Sequence, residues 1–381
     1  MNNLVINLSY DEKFLVSEYI PNLMKFSLHQ NHFFIIVIEK EVKFPITQKE
    51  INYILIEKNE ISETLSNKLP FNKLIIHGYI SYMARPVLNL PKDIKITTIY
   101  YGFEFYSALK PSQIQKTLYQ KQTRRYLKKD KKNTYKRELN FKEFLYRQYY
   151  IFSQRKLIKQ GFKRVDIFAH YIPSEYQLFK KKLNLNARYL EFNIGSHEQV
   201  FSNDSYKNMN IGKNILIGNS ADPANNHLDI IEMIDPAHID QCCKIYCPLS
   251  YAITNINYVE HVINEGNSKF GSNFVPLNKY LNKKDYTEIV ASCDVVVLNQ
   301  HRSQGILSAF AAFYFRKTLF LNRKNPFYDY VINLGMNVFT IDSDLNLKDR
   351  LSEKQLDENS KIYRDHFNEK KVFLKYKNLV N

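Results

Sequence analysis

The fold is decided by the stretch Asp294-Val295-Val296-Val297-Leu298-Asn299-Gln300-His301-Arg302-Ser303-Gln304-Gly305. After Asp294, four consecutive apolar residues are typical of a parallel strand that is buried on both faces. A dense polar loop follows, and Gly305 then opens an apolar helical segment over 306–315. The mostly apolar run Thr318–Leu321 completes a strand–helix–strand unit, which predicts a parallel sheet in the second half of the chain.

The same alternation of short apolar strands and amphipathic helices continues in both directions. In the second half, further strands are predicted at Asn214–Ile217, Lys244–Cys247 and Asn273–Val275. In the first half, they are predicted at Leu4–Leu8, Phe33–Ile38, Tyr53–Ile56, Lys73–His77, Ile94–Tyr101 and Asp166–His170. Strands of this kind indicate doubly wound α/β domains.

The length of the chain and a change in its composition indicate two domains. With 381 residues and 45.3 kDa, the chain exceeds what one hydrophobic core usually supports. The strand pattern pauses over 197–212, where Ser, Asn and Gly accumulate. We therefore predict one domain over 1–200 and another over 201–381. Each is expected to be a doubly wound α/β domain, and the two are expected to face a cleft.

The composition excludes some classes of protein and leaves several partners open. A hydrophobic fraction of 44% excludes a disordered chain. The formal net charge of +16 favours an anionic partner: nucleic acid, an acidic membrane surface or a phosphorylated substrate. A Lys-rich composition typical of AT-rich genomes explains part of the same excess. No signal peptide is evident at the N-terminus, and the apolar runs are too short to span a bilayer, so we expect a soluble or peripheral protein.

Two polar loops of the second half follow predicted strands directly. Ligands bind beyond the carboxyl ends of strands in doubly wound sheets, so these loops are the candidate binding sites. In the first, Gly218 permits close backbone approach, and Ser220 can donate to a phosphate near a helix N-terminus. An ordinary helix capped by Asp222 explains the same spacing.

In the second loop, Arg302 offers a cationic fork, while Asn299 and Gln304 offer amides. Gly305 gives access to the positive end of a helix dipole. The alternative is a surface arginine among ordinary helix caps. A third loop over 274–280 could pack against a nucleobase, and a plain connection explains it equally well.

In the first half, several titratable residues follow predicted strands. Glu104 is the preferred general base because Gly102 precedes it closely and aromatic residues flank it. His77 follows another strand, and Asp11 and Glu12 follow the first one. Each of these side chains is more often a cap or a satisfied polar group than a catalytic residue.

Residues 110–137 form the densest basic stretch, with a single acid, Asp130. Its central cations are Arg124, Arg125, Lys128 and Lys129. On a helix or loop, these charges would attract anionic lipid headgroups, at about 1 kcal/mol per basic residue near the surface. A nucleic-acid strip has the same pattern, and so does a solvated helix face.

Together these segments resemble the TDP-N-acetylfucosamine:lipid II N-acetylfucosaminyltransferases of enterobacterial common antigen synthesis, also called 4-alpha-L-fucosyltransferases. The resemblance covers about residues 212–340 and extends more faintly over the first half. It is carried by Ile217-Gly218-Asn219-Ser220, Asp222-Pro223, Asn225-Asn226-His227, Pro248-Leu249-Ser250-Tyr251, Phe270-Gly271, Tyr286 and Asn299-Gln300-His301-Arg302-Ser303-Gln304-Gly305. The family's Trp-Gly-Gly-Asp-x-Tyr segment is here Tyr101-Gly102-Phe103-Glu104-Phe105-Tyr106, and its Arg-Gln-Gln-Gly is Arg302-Ser303-Gln304-Gly305.

The resemblance implies a GT-B architecture of two Rossmann-like domains, with the sugar nucleotide bound by the C-terminal domain and a lipid-linked acceptor by the N-terminal one. It implies no cofactor and no required metal, because positive groups and helix dipoles replace the metal at the leaving diphosphate. The donor-binding residues would be Gly218, Asn219, Ser220, Asn226, Tyr251, Asn299, Gln304 and Gly305. Glu104 and Arg302 would be catalytic. His77 and the four central basic residues would face the acceptor or the membrane.

The predicted function is transfer of a deoxy-amino sugar, similar to 4-acetamido-4,6-dideoxygalactose, from a dTDP-sugar to a polyprenyl-diphosphate-linked saccharide. The enzyme would act at the cytoplasmic face of the bacterial inner membrane as a peripheral protein, without a nucleic-acid partner. Three alternatives remain open: a surface-polysaccharide transferase with another sugar nucleotide, an epimerase on the same architecture, and a basic nucleic-acid-binding protein.

Overall fold

A computed structural model describes residues 4–67, 70–134, 141–201, 213–240, 242–341 and 345–381. Within these residues the strands are β1 Val5–Tyr10, β2 His32–Val37, β3 Asn52–Ile56, β4 Lys73–His77, β5 Lys95–Ile99, β6 Ile167–His170, β7 Arg188–Glu191, β8 Asn214–Ile217, β9 Ile245–Pro248, β10 Phe274–Leu277, β11 Cys293–Leu298, β12 Thr318–Leu321 and β13 Phe339–Thr340.

The α-helices of the same residues are α1 Ile20–Lys25, α2 Ile61–Asn67, α3 Ala84–Leu88, α4 Glu104–Ser107, α5 Pro111–Leu118, α6 Lys121–Thr134, α7 Phe141–Lys163, α8 Pro173–Leu183, α9 His197–Phe201, α10 His227–Met233, α11 Ile256–Phe270, α12 Lys283–Ser292, α13 Ile306–Tyr314, α14 Pro326–Asn333, α15 Glu353–His366 and α16 Glu369–Val380. A π-helical turn over Leu15–Tyr19 leads into α1.

The first unit is built on a parallel sheet with the strand order β3-β2-β1-β4-β5-β6-β7. Its central strands are buried. Apolar residues dominate β2 and β4, as burial on both faces requires, whereas β1 also buries the polar residues Asn7 and Ser9. One face of the sheet packs against Leu15, Tyr19 and Leu23, together with Tyr376 of α16. The C-terminal helix therefore completes the core of this first unit.

The second unit has a parallel sheet with the order β10-β9-β8-β11-β12-β13. The side chains of Ile215, Ile245 and Val297 meet α10 and α11 residues in one apolar core. Leu127 of α6 belongs to the same core, although it lies far away in sequence.

The two compact units correct the predicted domain boundaries in two places. The first comprises Met1–Leu109, Asn140–Val200 and Phe367–Asn381, and the second comprises Lys110–Leu139 and Phe201–His366. The predicted break near residue 200 is present. The segment 110–139 belongs to the second unit, because Leu127 is buried in the second core, and 367–381 belongs to the first, because Tyr376 is buried in the first core. Residues 202–212 of the predicted boundary lie outside the described residues.

Candidate active site

In the second sheet, the order of the strands reverses between β8 and β11, which are hydrogen-bonded neighbours. The chain proceeds from β8 to β9 and β10 on one side, and from β11 to β12 and β13 on the other. The crevice beyond such a switch point is where doubly wound sheets bind ligands. The two polar loops that the sequence singles out follow these two strands.

The loop after β8 is held in place by Asn225. Gly218 ends the strand at φ +70°, and a Cβ there would lie 2.8 Å from Nε2 of His227. The Oδ1 atom of Asn225 accepts from the backbone N–H of Asn219 at 2.9 Å, and its Nδ2 donates to the carbonyl and hydroxyl oxygens of Ser220, both at 3.1 Å. The loop is therefore a closed, pre-formed turn.

The loop after β11 carries Arg302 in an ion pair with Asp222. Its Nη2 lies 2.7 Å from Asp222 Oδ2, and the two side chains are only 14% and 18% exposed. The Nε of Arg302 donates to Gln304 Oε1 at 3.0 Å. Asp222 alone would repel a diphosphate, and its charge is here compensated by Arg302.

The two loops are joined by hydrogen bonds. Gln304 Nε2 donates to Ser220 Oγ at 3.0 Å, and Gln300 Nε2 donates to Oδ1 of Asn219 at 3.1 Å. Gly305 begins α13 at φ +73°, and a Cβ there would lie 3.2 Å from Cγ of Asn219. At both positions, Gly218 and Gly305, a side chain would crowd a neighbouring residue and the backbone has a positive φ, so both features favour glycine. The hydrogen bonds and close contacts bring together five residues predicted as donor-binding: Gly218, Asn219, Ser220, Gln304 and Gly305.

Three polar atoms beside these loops are buried and have no hydrogen-bond partner among the described residues. They are Oε1 of Gln300, Oγ of Ser303 and Nε2 of His227. Burial lowers the pKa of His227 to about 3, so its ring is neutral at pH 7. Unsatisfied buried polar atoms are uncommon, and they mark positions where water or a ligand can bind.

Asn226 and Asn299 have structural roles that differ from the predicted donor contacts. Asn226 adopts a left-handed conformation at φ +56°. Its Nδ2 donates to the carbonyl oxygens of Leu118 and Asn299, both at 3.0 Å, and its Oδ1 accepts from the N–H of Gln120 at 2.8 Å. Both Asn residues are fully buried. The side-chain amide of Asn226 is therefore occupied by hydrogen bonds to the protein backbone rather than directed at a ligand.

Gln120 is a residue of this site that the sequence did not indicate. Its Nε2 donates to Asn299 Oδ1 at 2.7 Å, and its Oε1 accepts from Asn299 Nδ2 at 3.2 Å. His301 completes the cluster: its Nδ1 lies 3.0 Å from the carbonyl oxygen of Thr117, and its Nε2 lies 3.1 Å from Gln120 Nε2. This geometry fits a neutral ring with the proton on Nδ1, and burial lowers the pKa of His301 to about 4.

The residues around Gln120 form a strap, defined here as Lys110–Thr134, that is bound to the second unit. Asp229 accepts from the backbone N–H groups of Gln122 at 2.8 Å and Thr123 at 3.0 Å, which caps the start of α6. Farther along, Asp130 accepts from Asn255 Nδ2 at 2.8 Å. A segment from the first half of the sequence therefore supplies one wall of the candidate site.

The predicted basic surface is divided between the two units. On α6, Lys121, Arg125, Lys128 and Lys129 are exposed, and Arg124 is partly exposed. These four exposed cations lie opposite the buried Thr123 and Leu127, in the second unit rather than in the predicted N-terminal domain. A second group of basic residues, over 155–164, continues the pattern along the sequence and belongs to the first unit. Lys136 and Arg137 lie outside the described residues.

Glu104, the predicted general base, is buried at 0% exposure. Its Oε1 accepts from the N–H of Tyr101 at 2.9 Å, and its Oε2 accepts from Gly102 at 2.9 Å and Phe103 at 3.0 Å. Burial raises its pKa to about 7. This carboxylate closes the turn before α4 and does not reach solvent, so the predicted role does not fit its position.

His77 is also buried, at 0% exposure, with its Nε2 3.2 Å from Asn7 Oδ1. Burial lowers its pKa to about 3, so it is a neutral core residue, which excludes the predicted contact with an acceptor or membrane. Tyr251 has the opposite placement. Its ring is 68% exposed, and its carbonyl oxygen accepts from the N–H of Ala221 at 2.8 Å, beside the first loop.

A family model described as "4-alpha-L-fucosyltransferase glycosyl transferase group 56" matches residues 115–368, more than half of the chain. The chain belongs to this 4-alpha-L-fucosyltransferase family. The match begins within α5 and ends close to the C-terminal limit of the second unit, so it includes most of the strap and both polar loops. The predicted family is confirmed, and the chain is a glycosyltransferase.

Solved structures support the fold of this glycosyltransferase. The N-terminal domain of a Candida albicans trehalose-6-phosphate phosphatase matches with a TM-score of 0.67 at 10% identity, over 100% of this chain and 96% of that one. A UDP-forming alpha,alpha-trehalose-phosphate synthase from Burkholderia xenovorans gives 0.66 at 9% identity, over 100% and 98%. A putative UDP-N-acetylglucosamine 2-epimerase from Listeria monocytogenes gives 0.57 at 10% identity, over 100% and 95%. The predicted GT-B class, with two Rossmann-like parallel sheets, is confirmed.

Proposed function

We propose that this glycosyltransferase moves a deoxy-amino sugar, similar to 4-acetamido-4,6-dideoxygalactose, from a dTDP-sugar to a polyprenyl-diphosphate-linked saccharide in bacterial surface polysaccharide synthesis. The observation that carries the donor site is the hydrogen-bonded pair of loops at the β8/β11 switch point. Family membership supports a fucose-like sugar, and the resemblance to transferases of enterobacterial common antigen synthesis supports the dTDP carrier and the lipid-linked acceptor.

In this proposal the donor's diphosphate binds between Gly218–Ser220 and Arg302–Gly305. Backbone groups at the start of α13 lie at the positive end of a nine-residue helix. Arg302 shares its charge between Asp222 and the leaving diphosphate, whose negative charge increases as the glycosidic bond breaks. We propose that these protein groups provide the stabilisation without a metal ion.

Arg302→Ala tests the leaving-group role. Loss of one pre-organised donor to developing charge lowers kcat by about 10²-fold or more. Because the variant also leaves Asp222 uncompensated beside the phosphates, the double variant Arg302→Ala/Asp222→Asn is measured with it. The double variant should recover dTDP binding but not kcat. Arg316→Ala, a change to an exposed arginine that pairs with Glu353, is the matched control. Near-normal turnover of Arg302→Ala at saturating dTDP-sugar contradicts the role.

Product analysis distinguishes the proposed transferase from the alternative, an epimerase that acts on the sugar nucleotide. A transferase consumes the dTDP-sugar only when the lipid-linked saccharide is added, whereas an epimerase converts it alone. The fold does not decide between them, because the Listeria monocytogenes structure that matches is that of a putative epimerase. Family membership favours transfer.

We propose that the exposed face of α6 binds the anionic cytoplasmic surface of the bacterial inner membrane. Its four exposed cations recur at helical spacing on one face. No helix in the described parts of the chain is long and apolar enough to cross a bilayer. Lys128→Glu/Lys129→Glu should abolish co-sedimentation with vesicles containing phosphatidylglycerol, while Lys370→Glu/Lys371→Glu on α16 should not. Salt-dependent binding to duplex or single-stranded nucleic acid, with no binding to the anionic vesicles, would favour the nucleic-acid alternative.

A further inference from the structure

The first unit contains a pocket to which no role has yet been assigned. Its volume is about 110 Å³. The walls are apolar and come from Leu15 and Val16, from Ile36 of β2, from Leu55 of β3 and from the loop that carries Phe44. The polar lining residues are Asp11, Glu12 and Tyr53.

The pocket lies beyond the carboxyl end of β1 and extends over β2 and β3, and its residue Glu12 lies next to the switch point of the first sheet. The order β3-β2-β1-β4 places this reversal between β1 and β4. Gly78 follows β4 at φ +67°, and a Cβ there would lie 2.8 Å from the rings of both Tyr10 and Tyr101. This close approach allows the ring of Tyr101 to lie over the switch point, with its hydroxyl on Glu12.

The two carboxylates of the pocket are used differently. Asp11 binds the backbone N–H groups of Lys43 and Phe44, and so anchors the loop that forms one wall. Glu12 Oε1 accepts from the N–H of Leu15 at 2.6 Å and from the hydroxyl of Tyr101 at 2.8 Å. Glu12 Oε2 accepts only from the N–H of Phe14, at 2.6 Å, among the described residues. A carboxylate oxygen has two lone pairs, so Oε2 can accept one more hydrogen bond.

We propose that this pocket binds a hydroxyl-bearing sugar of the acceptor and that Glu12 removes the proton from the reacting hydroxyl. Two carboxylates disfavour a phosphate or nucleotide in this pocket, whereas apolar walls suit the uncharged face of a sugar. The inference rests on the proposed transferase function. It assigns to Glu12, which is 5% exposed and lines the pocket, the role predicted for Glu104, which is 0% exposed and is not among the pocket's lining residues.

The transfer reaction needs only the acceptor, the sugar nucleotide and Glu12. The hydroxyl proton passes to Glu12 Oε2, and the acceptor oxygen forms a bond to the anomeric carbon of the donor sugar. The bond from that carbon to the diphosphate oxygen breaks, and its electron pair leaves with the nucleoside diphosphate. Burial raises the pKa of Glu12 to about 7, so near neutral pH a large fraction is ionised and basic enough to accept the proton.

The test compares Glu12→Gln with Glu104→Gln in the full-length protein. Both changes neutralise a buried carboxylate that accepts three hydrogen bonds in the first unit, but only Glu12 lines the pocket. The substrates are dTDP-4-acetamido-4,6-dideoxygalactose and a synthetic polyprenyl-diphosphate disaccharide. We expect Glu12→Gln to lower kcat at least 100-fold and to leave the dTDP-induced shift in Tm unchanged. Glu104→Gln should keep kcat within about threefold of the wild type.

Phe44→Ala gives a second measurement that does not depend on a buried charge. Phe44 is 36% exposed at the pocket, so its removal should raise the acceptor KM at least fivefold with little effect on folding or on the donor KM. Leu374→Ala, which removes a 49% exposed side chain on α16 outside the pocket lining, is the control. Equal losses of kcat in the two Glu variants, or an unchanged acceptor KM in Phe44→Ala, overturn the role of the pocket but leave the proposed transferase function standing. Absence of transfer by the wild type overturns the proposed function, and the role of Glu12 with it.

Discussion

Among single residues, Gly305 meets two requirements of the candidate site: a left-handed backbone conformation and a close contact between the two polar loops. Alanine at φ +73° is strained, and its Cβ would lie 3.2 Å from Cγ of Asn219. We expect Gly305→Ala to destabilise the fold by about 1 kcal/mol from backbone strain. It should also raise the Kd for dTDP several-fold, because Asn219 must move away from its neighbours.

Gly335→Ala is the matched control for this prediction. Gly335 has a similar φ of +84°, but the methyl group of an alanine there would lie 3.9 Å from its nearest neighbour, Cδ1 of Ile362. Urea unfolding should show similar losses for both variants, and calorimetric titration should show weaker dTDP binding for Gly305→Ala alone. Equal dTDP affinity in the two variants would mean that the loop contact has no part in nucleotide binding.

The sequence identifies the residues of the loops better than it identifies their roles. Gly218, Ser220, Gln304 and Gly305 can be chosen because each belongs to a loop that follows a predicted strand directly. The roles of Asn226 and Glu104 cannot be foreseen, because burial and backbone hydrogen bonds decide them. In the sequence, Glu12 is only one of several residues after strands. The pocket that distinguishes it is formed by residues from separate stretches of sequence.

At the scale of elements, the attachment of α6 depends on one buried carboxylate. Asp229 is 4% exposed and accepts from two backbone N–H groups in the first turn of α6. Asp229→Ala should lower the free energy of unfolding by about 2 kcal/mol, because it leaves both donors without their acceptor. Trypsin should then cleave faster within Lys121–Thr134, and this cleavage is followed by mass spectrometry.

Asp235→Ala is the corresponding control. Asp235 caps a short turn that has no buried residues, and it accepts one hydrogen bond, from the N–H of Ala237 at 2.9 Å. This hydrogen bond does not involve the strap, which lies about 100 residues earlier in the sequence. Its removal should cost less than about 1 kcal/mol and leave tryptic cleavage of α6 unchanged. If the two variants gave the same cleavage rate, Asp229 would not be what holds the strap.

Element prediction from the sequence succeeds where strands are continuously apolar. β2, β4, β11 and β12 fall at their predicted places within one or two residues. β7 escapes prediction because Arg188-Tyr189-Leu190-Glu191 is a partly exposed edge strand with charged ends, and β13 has only two residues. The basic character of the strap is evident from its sequence. Its assignment to the second unit depends on the burial of Leu127 and the bonds of Gln120, which no local pattern reveals.

At the scale of the whole molecule, each unit has its own core and its own switch point, so ligands of the two units can be detected separately. Addition of dTDP should slow hydrogen exchange in the second unit, at residues 218–226 and 299–308. The same ligand should slow exchange at 118–120, because the N–H of Gln120 is bonded to Asn226 Oδ1 and the Gln120 side chain to Asn299. Exchange over 5–16 and 42–56 of the first unit should be unaffected.

Protection at 118–120 is the most demanding part of this prediction, because a nucleotide site built only from the second half of the sequence would leave that segment unchanged. Ligand binding raises the free energy of every opening that breaks the site, so protection extends to each segment in the same hydrogen-bonded network. Thymidine, which lacks the diphosphate, is the control ligand and should give little protection at 299–308. Slowed exchange confined to the first unit would place the nucleotide in the pocket beside Glu12, and would contradict both assignments.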